Sequence, residues 1–226
     1  MLDMIVRRES GAAGMGRASR ACLWLILSGA LLGCSIKLGL WAGTAHWYQL
    51  RYFTTLSNLL AAIYSLWALL RGRDRTPPLL HGAALMAVLV TGVIYHLLLR
   101  GTFGGFTPFT LGWLGDQMVH TAVPVLMALD WLLFVPKGRS ALWYPLGWAV
   151  FPAAYFAGTV LIARTGCCLP NSNTPYPYPF LDVWALGWGP VLRNAALVGL
   201  AYLGLGWGLV WLDRRLAEQK TDVVKR

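Results

Sequence analysis

Six long apolar runs organise the chain: Ala21–Trp41, Tyr52–Leu70, Leu79–Leu99, Leu111–Val135, Leu142–Ala163 and Trp184–Leu212. Each approaches or exceeds the roughly 20 residues a helix needs to cross about 30 Å of hydrocarbon at 1.5 Å per residue. The pattern predicts an all-α fold, a polytopic membrane helix bundle of six transmembrane helices forming one domain over residues 21–212. Basic tails over 1–20 and 213–226 flank it. The first run is longer than the apolar core of a signal peptide and does not end in a small-residue cleavage site, so it is read as a span. The sixth has length to spare for tilt or for projection beyond the membrane.

Composition agrees. Only 12% of the residues are charged and 57% are hydrophobic, whereas an average soluble domain carries about 25% charged residues. Too little polar surface is present to coat a water-exposed globule. The net charge of +10 would ordinarily raise the question of nucleic acid, but the basic residues occupy the gaps between apolar runs and no nucleic-acid module is recognisable. They serve topology and contact with anionic lipid. Arg7, Arg8, Arg17 and Arg20 precede the first run, and Arg71, Arg73 and Arg75 follow the second. Lys137 and Arg139 follow the fourth; Arg214, Arg215, Lys220, Lys225 and Arg226 follow the sixth. These fourteen fall on one side of a six-span protein, against Arg51, Arg100 and Arg164 on the other. The positive-inside rule therefore predicts both termini in the cytoplasm of a multi-pass protein of the cell membrane.

Cys22 and Cys34 read as small core residues, and the adjacent Cys167 and Cys168 lack the spacing of a metal or redox motif. No metal or nucleotide motif appears, so no cofactor is expected. The two halves share no repeat, which weakens an inverted-repeat transporter reading. Pro175-Tyr-Pro-Tyr-Pro179 should stay extended and delay the last helix.

Polar residues inside the spans carry the candidate chemistry, because ionisable groups in hydrocarbon face the bundle and tend to be functional. Thr54, Ser57 and Asn58 share one helix face at i, i+3 and i+4; hydrogen-bonded glue between helices is their plain structural alternative. Asp116 and His120 stand one turn apart, where the carboxylate can orient or charge the imidazole. A histidine satisfied by its neighbours is the competing reading. Asp130 is expected to anchor the interface or to pair with a basic side chain. Counted from Trp47 and Trp113 as interface markers, Thr54 and His120 lie at similar depth. Lys37, Tyr95, His96, Asp182, Arg193 and Asn194 fall in the same half, either around one polar chamber or in separate pairs such as Asp182 with Arg164 or Lys37.

Several of these segments carry a resemblance: Arg51-Tyr-Phe-Thr-Thr-Leu-Ser-Asn58, Gly112-Trp-Leu ahead of His120-Thr121 and Pro124, Leu129-Asp-Trp-Leu-Leu-Phe134 with Pro136-Lys-Gly138, and Tyr178-Pro-Phe-Leu-Asp182. Together, over roughly 48–212, they resemble the bacterial branch of the androgen-induced protein family, which includes the androgen-dependent regulator of tissue factor pathway inhibitor. The resemblance implies six spans with cytoplasmic ends and, as in animal members, a threonine hydrolase of fatty acid esters of hydroxy fatty acids. It implies Thr54 as nucleophile, with Thr55 as a competitor, and His120 as base. The sequence departs from the animal pattern in a histidine-to-proline spacing one residue shorter, and in Asp116.

The expected function is thus hydrolysis of a lipid ester, with Asp116 orienting His120 and Asn58 or Ser57 donating to the oxyanion. Two alternatives come from other classes: a non-catalytic scaffold that binds lipid or a membrane partner, and a transporter using Asp116, His120 and Arg193.

Overall fold

The computed structural model describes residues 15–100, 107–170 and 172–224, with side chains as far as residue 219. Helix is the only regular structure, with no strand among the described residues. Its long helices are α1 (Arg17–Lys37), α2 (Phe53–Arg71), α3 (Pro78–Leu99), α4 (Leu111–Phe134) and α5 (Tyr144–Ala163), followed by α6 (Trp188–Val224). All six contain a stretch long and apolar enough to cross a membrane.

Four of the six follow the apolar runs to within two residues at each end. Both ends of the domain differ, for local reasons. α1 stops at Lys37 rather than Trp41, because Gly39 (φ 74°) and Gly43 (φ 68°) turn the chain through left-handed backbone, which glycine adopts without a Cβ clash. Of the expected basic tail over 1–20, residues 1–14 lie outside the described residues, and 17–20 already form the first turn of α1. The expected tail over 213–226 is a helical extension of α6 as far as Val224. Its Asp-Arg-Arg-Leu-Ala-Glu-Gln-Lys composition favours helix, and Arg215 lies 3.6 Å from Glu218 one turn on.

α1 packs on α2 and α4, and α3 on α2, α4 and α5, while α6 packs on α5. The result is a four-helix bundle with an α5–α6 hairpin leaning on α3. Burial follows this division: 56% of the α3 apolar stretch lies inside the protein, against 17% for α5 and for α6. Leucine and tryptophan side chains such as Leu146, Leu161, Leu200 and Trp211 cover the outer faces. Small residues bring α1 and α4 together. A Cβ on Gly33 would meet Val119 Cγ1 at 2.6 Å, and one on Gly115 would meet Ile36 Cγ2 at 2.6 Å. Such close backbone approach is the usual device for packing helices where apolar surroundings supply no hydrophobic drive.

A buried ion pair ties one end of the bundle. Arg73, between α2 and α3, donates to Asp130 Oδ2 of α4 at 2.9 Å, and Tyr64 donates to the same oxygen at 2.7 Å. Asp130 thus has the basic partner its position suggested. At the opposite end α3 and α4 each contain one π-helical turn, Tyr95–Leu99 and Met118–Ala122. Single π turns inside α-helices often accompany functional sites, and these two carry Tyr95 and His120.

Candidate active site

The site begins with the i, i+4 relation of Asp116 and His120 on α4. His120 Nδ1 lies 3.1 Å from Asp116 Oδ1 and 3.1 Å from the Asp116 main-chain oxygen. Both neighbours are acceptors, so Nδ1 must carry a proton, and in the neutral imidazole Nε2 then presents a lone pair. That lone pair faces Thr54: Nε2 is 3.3 Å from Thr54 Oγ1. Two further groups hold the carboxylate, whose side chain is only 5% exposed. Lys37 Nζ, on the last turn of α1, donates to Oδ1 at 2.8 Å, and the Tyr95 hydroxyl donates to Oδ2. Tyr95 also stacks on the imidazole, with ring centroids 3.9 Å apart and planes 9° from parallel. Imidazole tilt and tautomer are therefore held by three helices.

Thr54 is the second residue of α2. Thr55, its competitor, is buried on the adjacent face of the helix; Thr54 is the hydroxyl that meets the imidazole. Ser57 and Asn58 share its helix face as expected, but their donors point elsewhere, and this corrects the oxyanion role. Asn58 Nδ2 donates to the Thr54 carbonyl at 2.9 Å and to the Val119 carbonyl at 3.1 Å. Ser57 Oγ donates to the Thr54 carbonyl at 3.0 Å and meets Thr91 Oγ1 at 2.9 Å. The physical reason lies in α4. Pro124 has no N–H to give to the preceding turn, and Val123 bonds Met118 across the π turn. The Val119 carbonyl therefore needs a partner from another helix, and Asn58 provides it. Ser57 and Asn58 brace the Thr54 turn against α3 and α4.

A further hydroxyl reaches Thr54 from the long connection between α5 and α6. Tyr178 OH lies 3.4 Å from Thr54 Oγ1 and accepts from the Thr54 N–H at 3.4 Å. Pro177 and Pro179 keep Tyr178 extended (φ −128°, ψ 133°). Arg51 fastens the same connection to the start of α2, donating to the Cys167 carbonyl at 2.9 Å and to the Pro175 carbonyl. Asn194 Nδ2 holds the Phe180 carbonyl at 3.0 Å. Reading polar residues within the spans misses Tyr178, because it stands outside them. The signal present was a tyrosine in a proline-stiffened segment that is otherwise apolar.

Two cavities meet at these side chains. One, of about 320 Å³, is apolar and runs between α3, α5 and α6, with Ile94, Pro152, Phe156, Val198 and Tyr202 among its walls. The other, of about 230 Å³, is the more polar of the two and includes Lys37, Gln49, Tyr52, Arg100 and Asp116. Thr54, His120, Tyr95, Leu99 and Tyr178 border both. The remaining expected groups lie apart. Arg193 is exposed on α6 and lines neither cavity. Asp182 caps the short turn Val183–Leu186, accepting from the Trp184 and Ala185 N–H groups at 2.9 and 3.1 Å. His96 Nε2 pairs with Thr121 Oγ1 at 3.1 Å in exposed surroundings. Among the described residues no cluster of three or more His, Cys, Asp or Glu side chains could hold a metal ion.

This geometry defines a class of site: a threonine hydroxyl, an imidazole nitrogen within hydrogen-bond reach of it, and a carboxylate that fixes the imidazole. No family model, curated protein or solved structure matches the chain.

Proposed function

We propose that this is a multi-pass membrane protein of the cell membrane that hydrolyses a lipid ester through an acyl-threonine intermediate. One observation carries the reading: a threonine hydroxyl lies 3.3 Å from Nε2 of a carboxylate-held histidine, on the wall shared by an apolar cavity and a more polar one. An isolated hydroxyl is a weak nucleophile and gains reactivity from an adjacent base. The resemblance to the androgen-induced protein family singles out the same two residues, and the charge asymmetry supports a topology with both termini in the cytoplasm and the site in the outer half of the membrane.

The chemistry follows from the positions. An acyl chain occupies the apolar cavity and brings its ester carbonyl to Thr54. As Oγ1 bonds to the carbonyl carbon, His120 Nε2 takes the hydroxyl proton and the carbonyl π pair moves to oxygen. Collapse of this adduct breaks the bond to the alcohol oxygen, which leaves with the proton from Nε2. Water entering from the polar side then gives a proton to Nε2 and attacks the acyl-threonine. The second collapse returns the proton to Oγ1 and frees the carboxylic acid. Asp116 stabilises the imidazolium in both halves without itself taking a proton.

Purified protein treated with a fluorophosphonate probe tests the assignment. Wild type should label on Thr54, and Thr54→Ala and His120→Ala should lose labelling and esterase turnover while keeping the wild-type melting temperature. Full labelling or turnover in either folded variant overturns the mechanism. Absence of labelling in folded wild type overturns it as well and leaves the scaffold and transporter classes, which substrate flux in liposomes separates.

A further inference from the structure

The carbonyl oxygen gains a full negative charge in the adduct, and preorganised donors at that point usually supply a large share of catalysis. Ser57 and Asn58 cannot serve, since their donors are engaged with main-chain oxygens and Thr91. Resting on the ester-hydrolase reading, we infer that the oxyanion is held by two other donors, the main-chain N–H of Thr54 and the hydroxyl of Tyr178.

Position in the helix supplies the first donor. Thr54 is the second residue of a nineteen-residue helix, so its N–H has no carbonyl one turn back. The N–H groups of Thr55 and Leu56 already bond the Tyr52 carbonyl at 3.1 and 3.3 Å. The Thr54 N–H is directed instead at the Tyr178 oxygen, at 3.4 Å. It belongs to the nucleophile's own residue and stands at the positive end of the helix dipole.

The second donor comes from the α5–α6 connection. Tyr178 is 7% exposed and lines both cavities. Burial pushes the phenol above its ordinary range, which keeps the proton on the oxygen. Its ring is fixed by stacking on Phe180, centroids 5.5 Å apart, and by an edge contact with Tyr52 at 5.9 Å. Both contacts to Thr54 are 3.4 Å, at the long limit of hydrogen bonding. Donors that complement a transition state belong about 2.7–3.1 Å from the future oxyanion, not from the resting nucleophile. An oxygen developing beside Thr54 Oγ1 would draw both donors away from each other and onto itself. When the adduct collapses, the electron pair returns to the carbonyl and the two hydrogen bonds loosen again; neither donor gives up its proton.

Thionoesters provide a direct test, because sulfur is a poor hydrogen-bond acceptor and gains little from such donors. Wild type, Tyr178→Phe and Thr54→Ala are compared on p-nitrophenyl decanoate and its thiono analogue, with melting curves for each protein. Wild type should favour the oxoester strongly. Tyr178→Phe, which removes one oxygen and keeps the ring contacts, should lose about 10²–10³ in kcat on the oxoester with KM nearly unchanged. Its oxo-to-thiono ratio should fall at least tenfold. An equal loss on both substrates makes Tyr178 merely structural and overturns the inference, as does wild-type turnover in Tyr178→Phe or no oxoester preference in wild type. Should ester turnover be too slow to follow, wild-type fluorophosphonate labelling rates in Tyr178→Phe overturn it too. If Thr54→Ala is inactive while the Tyr178→Phe ratio is unchanged, only the two-donor assignment fails; an active Thr54→Ala removes the ester-hydrolase reading beneath it.

Discussion

Asp116 is the residue on which the site's electrostatics turn. It accepts from Lys37, Tyr95 and His120, so one carboxylate neutralises a lysine, fixes a stacked tyrosine and selects the histidine tautomer. Asp116→Asn keeps the shape and removes the charge. The amide can turn its N–H₂ toward His120 Nδ1, which favours the tautomer with the proton on the nitrogen facing Thr54. A fall of about 10²–10⁴ in kcat is expected, the range associated with a positioned acid–base group. Turnover and melting temperature measured together check it, and unchanged kcat would show that the carboxylate only stabilises the bundle. The Asp116–His120 relation was legible in the sequence because four residues along one helix place two side chains on the same face. The lysine and tyrosine partners were not, since α1 and α3 reach Asp116 only through packing.

Helix contacts set the precision of that packing. α1 brings Lys37 to Asp116 because Gly33 and Gly115 let its backbone lie close to α4. Gly115→Val should force the two helices apart, since even a Cβ there would stand 2.6 Å from Ile36. Overpacking of this kind costs about 1–3 kcal/mol, and displacement of Lys37 should lower turnover as well. Thermal unfolding in detergent and kcat on one ester check both effects; a variant with wild-type stability and turnover would mean that α1 and α4 adjust freely. The π turns are a second feature of this scale. The length of the apolar runs placed α3 and α4 correctly, yet a single extra residue in one turn leaves no mark on run length. The Asn58 assignment went astray for the same reason, because the demand of the Val119 carbonyl arises only once the turn before Pro124 is built.

The whole molecule separates support from chemistry. α1–α4 form the buried framework, and the α5–α6 hairpin, with far less buried surface, closes the apolar cavity and delivers Tyr178. The proposed topology puts the α5–α6 connection outside the cell. Cys167 and Cys168 lie there and are exposed, whereas Cys22 and Cys34 are buried. A membrane-impermeant maleimide should therefore modify intact spheroplasts at Cys167 and Cys168, and a C-terminal tag should become accessible only after lysis. Tag exposure on intact spheroplasts would reverse the orientation.

The sequence by itself determined the number and placement of the long helices and the charge asymmetry across them, because both depend on the length and local order of apolar and basic residues. It also singled out Thr54, Asp116 and His120, through i, i+4 spacing and resemblance. Tertiary structure alone decided that Thr54 and His120 meet, that Lys37 and Tyr95 hold Asp116, that Ser57 and Asn58 serve the scaffold, and that Tyr178 enters from outside the helices. Those relations join residues as many as 124 positions apart. No periodicity along the chain records them; they follow from which helix faces fit together at close range.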